Sequence, residues 1–564
     1  MLTDLWAALF TAGSSKAEDT LKEATAAAAT LATKLQRYVE PPPAGFPAGP
    51  AGDQSAAMLA DPLAFIEDVR ARHGPVAGLL LGGERVVLVS DPAAARQVLI
   101  DRADIFVKEG TAFFPGSALT GNGLLVSDGD VWRRQRRMAN PAFRRAAVEG
   151  YAAQMVEETQ RLLRGPFAAA AAPQGYRGGR APGGGGGGVG DGPGGVVDVY
   201  KEFNKLTLNI TLAALFGLST DDDRAAGPAA RGPAADPRAG PAAADAAARV
   251  VAAVERAFAF FANRGAAAMV VPEWVPTPDN LEFAAAVQEL DGMVYGIIGR
   301  RRAELARQRQ QQQQQQEQQQ QRQAEEAEEG PRAGGGQGWP DLLQALLEAA
   351  DDDGEAQAAA AAEVAALLPP GRPPRAADVA RLPRCTAVVL EALRLYSPAY
   401  MVGRCASDDA ELPGGYRLPR GTTVLVSPYL LHRDPNYWRE PLRFSPERWD
   451  ELLQPQASSS GGGGGGGGTP AAAGSSSGGG SGGGGYSFAA ALREMGPNGA
   501  YVPFGGGPRN CIGTGFAMIE AVLVVAALLQ RYELRPPPNG AFPRPKALLT
   551  LRPDAVPLTV ARRA

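Results

Sequence analysis

The chain has 564 residues, a formal net charge of −4, three cysteines and two histidines. Near-neutral charge gives no general attraction to nucleic acid, and three cysteines without a CxxC pair exclude a disulfide framework. His73 and His432 are too few for a His-rich zinc, copper or facial-triad iron site, so chemistry must rest on a cysteine, on carboxylates or on a bound cofactor.

No stretch reaches the ~18–20 uninterrupted apolar residues of a membrane span. Residues 1–40 read as a helical leader in which Leu2, Leu5, Trp6, Leu9 and Phe10 form one apolar stripe. Such a stripe docks on the body of a protein or lies on a membrane surface. A transit peptide is the competing reading, against which stand the early acids Asp4, Glu18, Asp19 and Glu23. The expected location is intracellular, either cytoplasmic or peripherally membrane-associated, with a chloroplast open. Residues 41–60 are Pro-rich and read as a stiff, extended hinge, and 61–564 as a single domain.

That domain opens with two apolar runs, 76–81 and 86–89, around Gly82-Gly83, the pattern of a β-hairpin. Asp91 followed by Pro92 reads as a helix N-cap and first helical position. Helical periodicity then dominates 131–164, 198–217, 247–263, 279–306, 339–350, 376–396 and 514–531, and strand signals return over 411–427 and near the C-terminus. The expected fold is mainly α with a small β-rich lobe. Four tracts interrupt it, at 173–195, 226–248, 307–337 and 457–485, rich in Gly, Ala/Pro, Gln and Ser/Gly respectively. Their compositions bury too little apolar surface to offset the entropy of ordering, so they read as disordered insertions in surface loops.

The strongest chemical signal is Phe504-Gly505-Gly506-Gly507-Pro508-Arg509-Asn510-Cys511-Ile512-Gly513. Glycines allow a tight loop, and Cys511 stands at the entrance of an apolar helix whose N-terminal partial charge favours a thiolate. A thiolate so placed has a metal ligand's geometry. With no partner Cys or His nearby, the other ligands must come from a cofactor, and haem fits because the porphyrin supplies four nitrogens.

These ten residues resemble F-x-x-G-x-R-x-C-x-G, the haem-binding loop of the cytochrome P-450 superfamily, at every fixed position. Glu391 and Arg394 resemble the family's E-x-x-R pair, and Pro446-Glu447-Arg448-Trp449 its later P-E-R-[FW] segment, so that Arg448 would complete a Glu–Arg–Arg network. Trp132 and Arg136 resemble W-x-x-x-R, and Arg404 falls where the family often places another propionate partner. The resemblance, running from about Pro62 to Val560, implies haem b with Cys511 as axial thiolate and Trp132, Arg136, Arg404, Phe504, Arg509 and Gly513 around it. It also implies reductive activation of O2, insertion of one oxygen atom into a lipophilic substrate, and an electron donor of the ferredoxin, flavodoxin or NADPH-reductase kind. His432 matches a recurrent family segment and reads as structural. Phe106, Phe113, Phe114, Tyr400, Met401 and Val402 are candidates for an apolar substrate pocket, suited to a fatty acid, terpenoid, sterol or carotenoid.

The resemblance breaks at one place. The family's central helix, with a signature like [AG]-G-x-[DE]-T-[ST], is absent from the sequence, and sixteen residues separate Gly354 from Gly371. A domain of about 450 residues is roughly 55–60 Å across, and a helix crossing it needs roughly 30 residues. The chain is therefore expected to be a monooxygenase by family that lacks an internal segment. The alternatives are a haem-binding but inactive paralogue and a haem-thiolate enzyme that rearranges peroxides.

Overall fold

The computed structural model describes residues 32–111, 121–172, 195–216, 277–320, 355–453, 488–492, 495–536, 543–548 and 550–563, with a few single positions between 25 and 260. The longer helices are α1 (Pro62–His73), α2 (Gly129–Ala139), α3 (Arg145–Leu162), α4 (Val199–Phe216), α5 (Pro278–Gln320), α6 (Glu355–Leu367), α7 (Pro383–Leu395) and α8 (Thr514–Leu529). The strands are β1 (Val76–Leu81), β2 (Glu84–Val89), β3 (Phe106–Val107), β4 (Val196–Asp198), β5 (Val402–Ala406), β6 (Ala410–Leu412), β7 (Tyr416–Leu418) and β8 (Thr423–Val426). Near the C-terminus follow β9 (Tyr532–Arg535), β10 (Pro545–Ala547), β11 (Leu551–Pro553) and β12 (Pro557–Arg562). No helix among the described residues is long and apolar enough to cross a membrane.

The hairpin forms as expected. Leu81 faces Glu84 across Gly82 and Gly83, whose φ angles of 58° and 73° give the left-handed two-residue turn that matches strand twist. Beside it β8, β5 and β3 complete a five-stranded sheet, parallel only at β2–β8. Asp91 caps the short helix Pro92–Arg96 by accepting the Ala94 N–H at 2.8 Å. The Pro-rich stretch read as a hinge is tied to this sheet. Gly78 N–H donates to the Ala48 carbonyl at 3.0 Å, and a Cβ on Gly49 would stand 1.7 Å from the Gly78 oxygen. The leader's last turns follow it down, with Lys34 and Arg37 both pairing with Glu84.

Prolines explain where the helices differ from their expected bounds. The helix read over 131–164 is two, because Pro141 sits in a 3₁₀ turn, Asn140–Phe143, between α2 and α3. The helix read over 376–396 divides at Pro383, the first residue of α7. In the opposite sense α5 continues to Gln320, which corrects the disordered reading for the first part of the 307–337 tract. Glutamine is a good helix former, and extending a nucleated helix needs no new nucleus.

Helices α3, α4, α6, α7 and α8 share one core, in which Met155, Leu163, Phe203, Ile210, Val389, Leu393, Val522 and Leu523 are buried. The interval between Gly354 and Gly371 is occupied by α6, a helix of 13 residues and so about 20 Å long. It packs on α7 and α8. Its Glu363 accepts the N–H groups of Arg384 and Cys385 at 2.8 and 3.0 Å, which closes the exposed end of α7. This stretch is a buttress for α7, too short to span the domain. The expected helix over 339–350 lies outside the described residues.

Candidate active site

The Cys loop is held from two sides. Gly505 and Gly507 have φ angles of 74° and 65°, and a Cβ on Gly507 would stand 2.1 Å from the Leu99 carbonyl oxygen, so only glycine lets this loop lie against residues 97–101. On the other side Arg136 of α2 donates to Asn510, to its carbonyl at 2.9 Å and its side-chain oxygen at 3.0 Å. Cys511 N–H donates to Phe504 O at 2.9 Å, closing the loop, and Thr514 Oγ donates to Cys511 O at 2.8 Å. Cys511 is half-buried and two residues ahead of Gly513, the N-cap of α8.

Burial pushes the Cys511 thiol up; the Gly513 N–H, Arg136 and Thr514 pull it down, as the helix-terminus argument requires, but more weakly. The protonated thiol is therefore the favoured form of the bare site, and deprotonation belongs to metal coordination itself.

Behind the loop lies a concentration of positive charge. Arg404, in β5, is 2 % exposed, and its guanidinium donates to the Gly403 carbonyl at 2.8 Å; no carboxylate among the described residues is within ion-pair distance of it. Burial and the neighbouring Arg509 lower its pKa to about 10. Arg509 pairs with Asp128, donates to the Ser127 carbonyl at 2.7 Å and lies over the Trp132 ring at 4.1 Å. Arg136 faces the Cys loop, and the Trp132 ring carries Arg509. A buried guanidinium without a carboxylate calls for an anionic group, and a carboxylate-bearing metal chelate with its metal toward Cys511 fits these residues.

The Glu391 network joins Glu391, Arg394 and Arg448 with five further residues. Arg394 and Glu391 form a bidentate pair at 2.8 and 3.0 Å, both side chains fully buried, and Arg448 Nε reaches Glu391 at 2.9 Å. Trp449 Nε1 and Ser445 N–H donate to the same carboxylate at 3.0 and 2.9 Å, and Arg394 also donates to the carbonyls of His432, Pro441 and Arg443 at 2.6–3.0 Å. His432 is structural. Its Nε2 accepts the Val502 N–H at 2.8 Å, which leaves the proton on Nδ1 facing the Arg394 carbonyl at 3.1 Å. Burial and the adjacent arginines hold its pKa well below the usual range, so the ring is neutral. This network ties α7 to the segment leading into the Cys loop, whose Tyr501 donates to Leu390 O at 2.7 Å.

The candidate pocket residues fall in different places. Phe106 is a core residue of the sheet, packed with Val87, Leu99, Val424 and Val426. Tyr400 is buried in a second cluster with its hydroxyl on the Leu548 carbonyl at 2.8 Å, and Met401 packs beside it. Val402 opens β5 and leans on the Phe106 cluster. Phe113 and Phe114 lie outside the described residues. The residue that sequence reasoning missed is Asp128, which looks like an ordinary N-cap before α2. Its side chain caps nothing there. It accepts the N–H groups of Lys108 and Glu109 at 2.8 and 2.6 Å and pairs with Arg509.

Comparison with known proteins matches this architecture. The sequence fits the family described as Cytochrome P-450 over residues 57–331 and 345–559. It is 28% identical over 523 residues to "Cyclooctatin synthase" of Streptomyces melanosporofaciens, covering 89% of this chain and 92% of that protein. It is 26% identical over 491 residues to "Cyclooctat-9-en-7-ol 5-monooxygenase" of the same organism, covering 86% and 87%. The crystal structure of the cytochrome P-450DA haem domain superposes with a TM-score of 0.60 at 20% identity, covering 89% of this chain and 93% of that one, which is a likeness of fold. The protein belongs to the cytochrome P-450 family, enzymes that bind haem b.

Proposed function

We propose that this chain is a haem-thiolate monooxygenase that transfers one oxygen atom from O2 to a lipophilic organic substrate, with electrons from a protein redox partner. The observation that carries the reading is the juxtaposition of Cys511, at the head of α8, with the buried Arg404 and the half-buried Arg509. Haem b, when bound, supplies the redox-active iron at which dioxygen is activated. Cys511 would hold the iron, and Arg404 and Arg509 would hold the carboxylates. Trp132 orients Arg509, Arg136 fixes the loop through Asn510, the Phe504 carbonyl closes the loop on the Cys511 N–H, and Gly513 lies beside the sulfur. The lipophilic class of substrate rests on one relative named as a cyclooctat-9-en-7-ol monooxygenase.

The test is ligation. The ferrous carbon-monoxide complex of the full chain is expected to show the red-shifted Soret band of a thiolate-bound haem, and Cys511→Ala to lose it. A band retained by that variant would overturn the assignment. One observation favours a second reading, haem binding without turnover: the sequence contains no acid–alcohol motif of the kind that relays protons to bound oxygen.

A further inference from the structure

Away from the Cys loop, a cleft of about 940 Å³ opens between α3 and the segment 373–377 that leads toward α7. Ala152, Val156, Gln160 and Arg164 line one side. Their spacing of four places them on one face of α3 and of the helical turn Leu163–Phe167 that continues it. Pro373, Pro374 and Ala376 form the facing wall. That wall is fixed from behind. Arg372 pairs with Asp378 through contacts of 2.9 and 3.0 Å, Asp378 accepts the Arg375 N–H at 2.8 Å, and Gln530 donates to the Arg372 carbonyl at 2.9 Å. Two features of the cleft have no use within the fold. Gln160 is 6 % exposed, and neither its amide nitrogen nor its amide oxygen has a hydrogen-bond partner. A buried amide left unpaired is costly, so it favours a guest that offers a donor and an acceptor side by side. The second feature is charge. Glu149 and Glu157 at the rim have arginine partners one turn away, Arg145 at 2.7 Å and Arg161 at 4.0 Å. Arg164 and Arg375 are exposed and pair with no carboxylate among the described residues.

We propose that this cleft binds an adenine nucleotide. The base lies between the aliphatic walls, with its amino group and a ring nitrogen on the Gln160 amide, the pairing by which glutamine reads adenine. The amide atoms are closed to solvent, so binding includes a rotation of the Gln160 side chain toward the cleft, about a terminal torsion that is broad. The phosphate, with a charge of about −1.5 to −2 near neutral pH, takes Arg164 and Arg375, whose planar forks suit its oxygens. The cleft shares no residue with α2 or the Cys loop, so the proposal does not rest on the haem reading. A nucleotide here would brace α3, which packs on α8, against the lead-in to α7. It would act as a regulatory ligand.

The experiment is calorimetric titration of the full chain with adenosine monophosphate, adenosine and ribose 5-phosphate. The monophosphate is expected to bind about 10-fold or more tightly than either fragment and to raise the melting temperature. Gln160→Met keeps the length of the side chain without its amide. It should bring the monophosphate down to the affinity of ribose 5-phosphate and leave the fold at least as stable, because the unpaired amide is gone. Gln160→Leu provides a second apolar variant if the Met variant does not fold. Arg164→Gln combined with Arg375→Gln, both at exposed positions, should bring the monophosphate down to the affinity of adenosine and leave adenosine itself unaffected. Haem-loaded and haem-free chains should bind alike. A monophosphate that binds no more tightly than ribose 5-phosphate would make the cleft a bare anion site and overturn the proposal. No binding, or affinities unchanged in the variants, would overturn it as well. Binding confined to the haem-free chain would place the nucleotide in the haem site and overturn it too.

Discussion

The two arginines on Glu391 are not equivalent, although a motif reading treats them as a pair. Arg394 is fully buried and serves the carboxylate and three carbonyls, whereas Arg448 retains some solvent access and gives Glu391 one contact. Arg394→Met would leave a buried carboxylate short of its main partner and strip three buried acceptors, a loss on the order of 3–5 kcal/mol. Arg448→Met leaves Glu391 with Arg394, Trp449 and Ser445, and should cost roughly 1–3 kcal/mol. Urea denaturation of the two variants checks the order; equal losses would mean that the network behaves as a single unit. The chemistry at this scale was legible where residues are contiguous. Positions 504–513 carry the Cys loop in one run, and the i, i+3 spacing of Glu391 and Arg394 defines their pairing. Asp128 was not legible, because an acid ahead of a helix reads as a cap and its true partners are 20 and 381 residues away along the chain.

At the scale of elements, α2 has two working faces. Trp132 and Arg136 turn toward the Cys loop, and Arg133, Arg134 and Arg137 are exposed. Arg133 pairs with exposed Asp130 at 2.7 Å, a contact of small energetic weight in water. An exposed basic face beside the cysteine that would carry the electron suits an acidic donor, whose approach it would steer. Reversal of Arg134 and Arg137 to Glu is expected to slow reduction by such a donor severalfold at low ionic strength, and added salt to shrink the difference. Stopped-flow reduction checks this; rates indifferent to both salt and charge reversal would make the arginines a solvated face only. The helix was legible but its limits were not. Periodicity continues through Pro141, and the missing N–H that ends α2 carries no hydrophobic signal. The β3–β5 pairing was hidden for a different reason: two residues are too few to alternate, and only tertiary contact creates the strand.

The whole molecule poses the question of the distal side. Fold class was legible from periodicity alone, and so was the shortness of the interval between Gly354 and Gly371; its role was not. Folded, that interval is α6, 13 residues that brace α7 through Glu363 and pack on α8. It therefore has a structural task of its own and cannot also cross a domain on the order of 55–60 Å wide. With no acid–alcohol motif elsewhere in the sequence, the chain as written is expected to hydroxylate no substrate at a useful rate, and its reduction to run off into superoxide and peroxide. A distal side without that helix would also leave apolar neighbours uncovered, at ~1.5–3 kcal/mol for each large side chain. Against a net stability of ~5–15 kcal/mol, a few such exposures threaten folding itself. The decisive comparison sets this 564-residue chain beside a version into which a family-type acid–alcohol helix is inserted between Gly354 and Gly371, with haem content, thermal stability and product formed per NAD(P)H consumed as the readouts. The longer chain should gain in all three. Coupled turnover by the short chain would show that the central helix is dispensable here and that protons reach the bound oxygen by another route, leaving the family assignment intact.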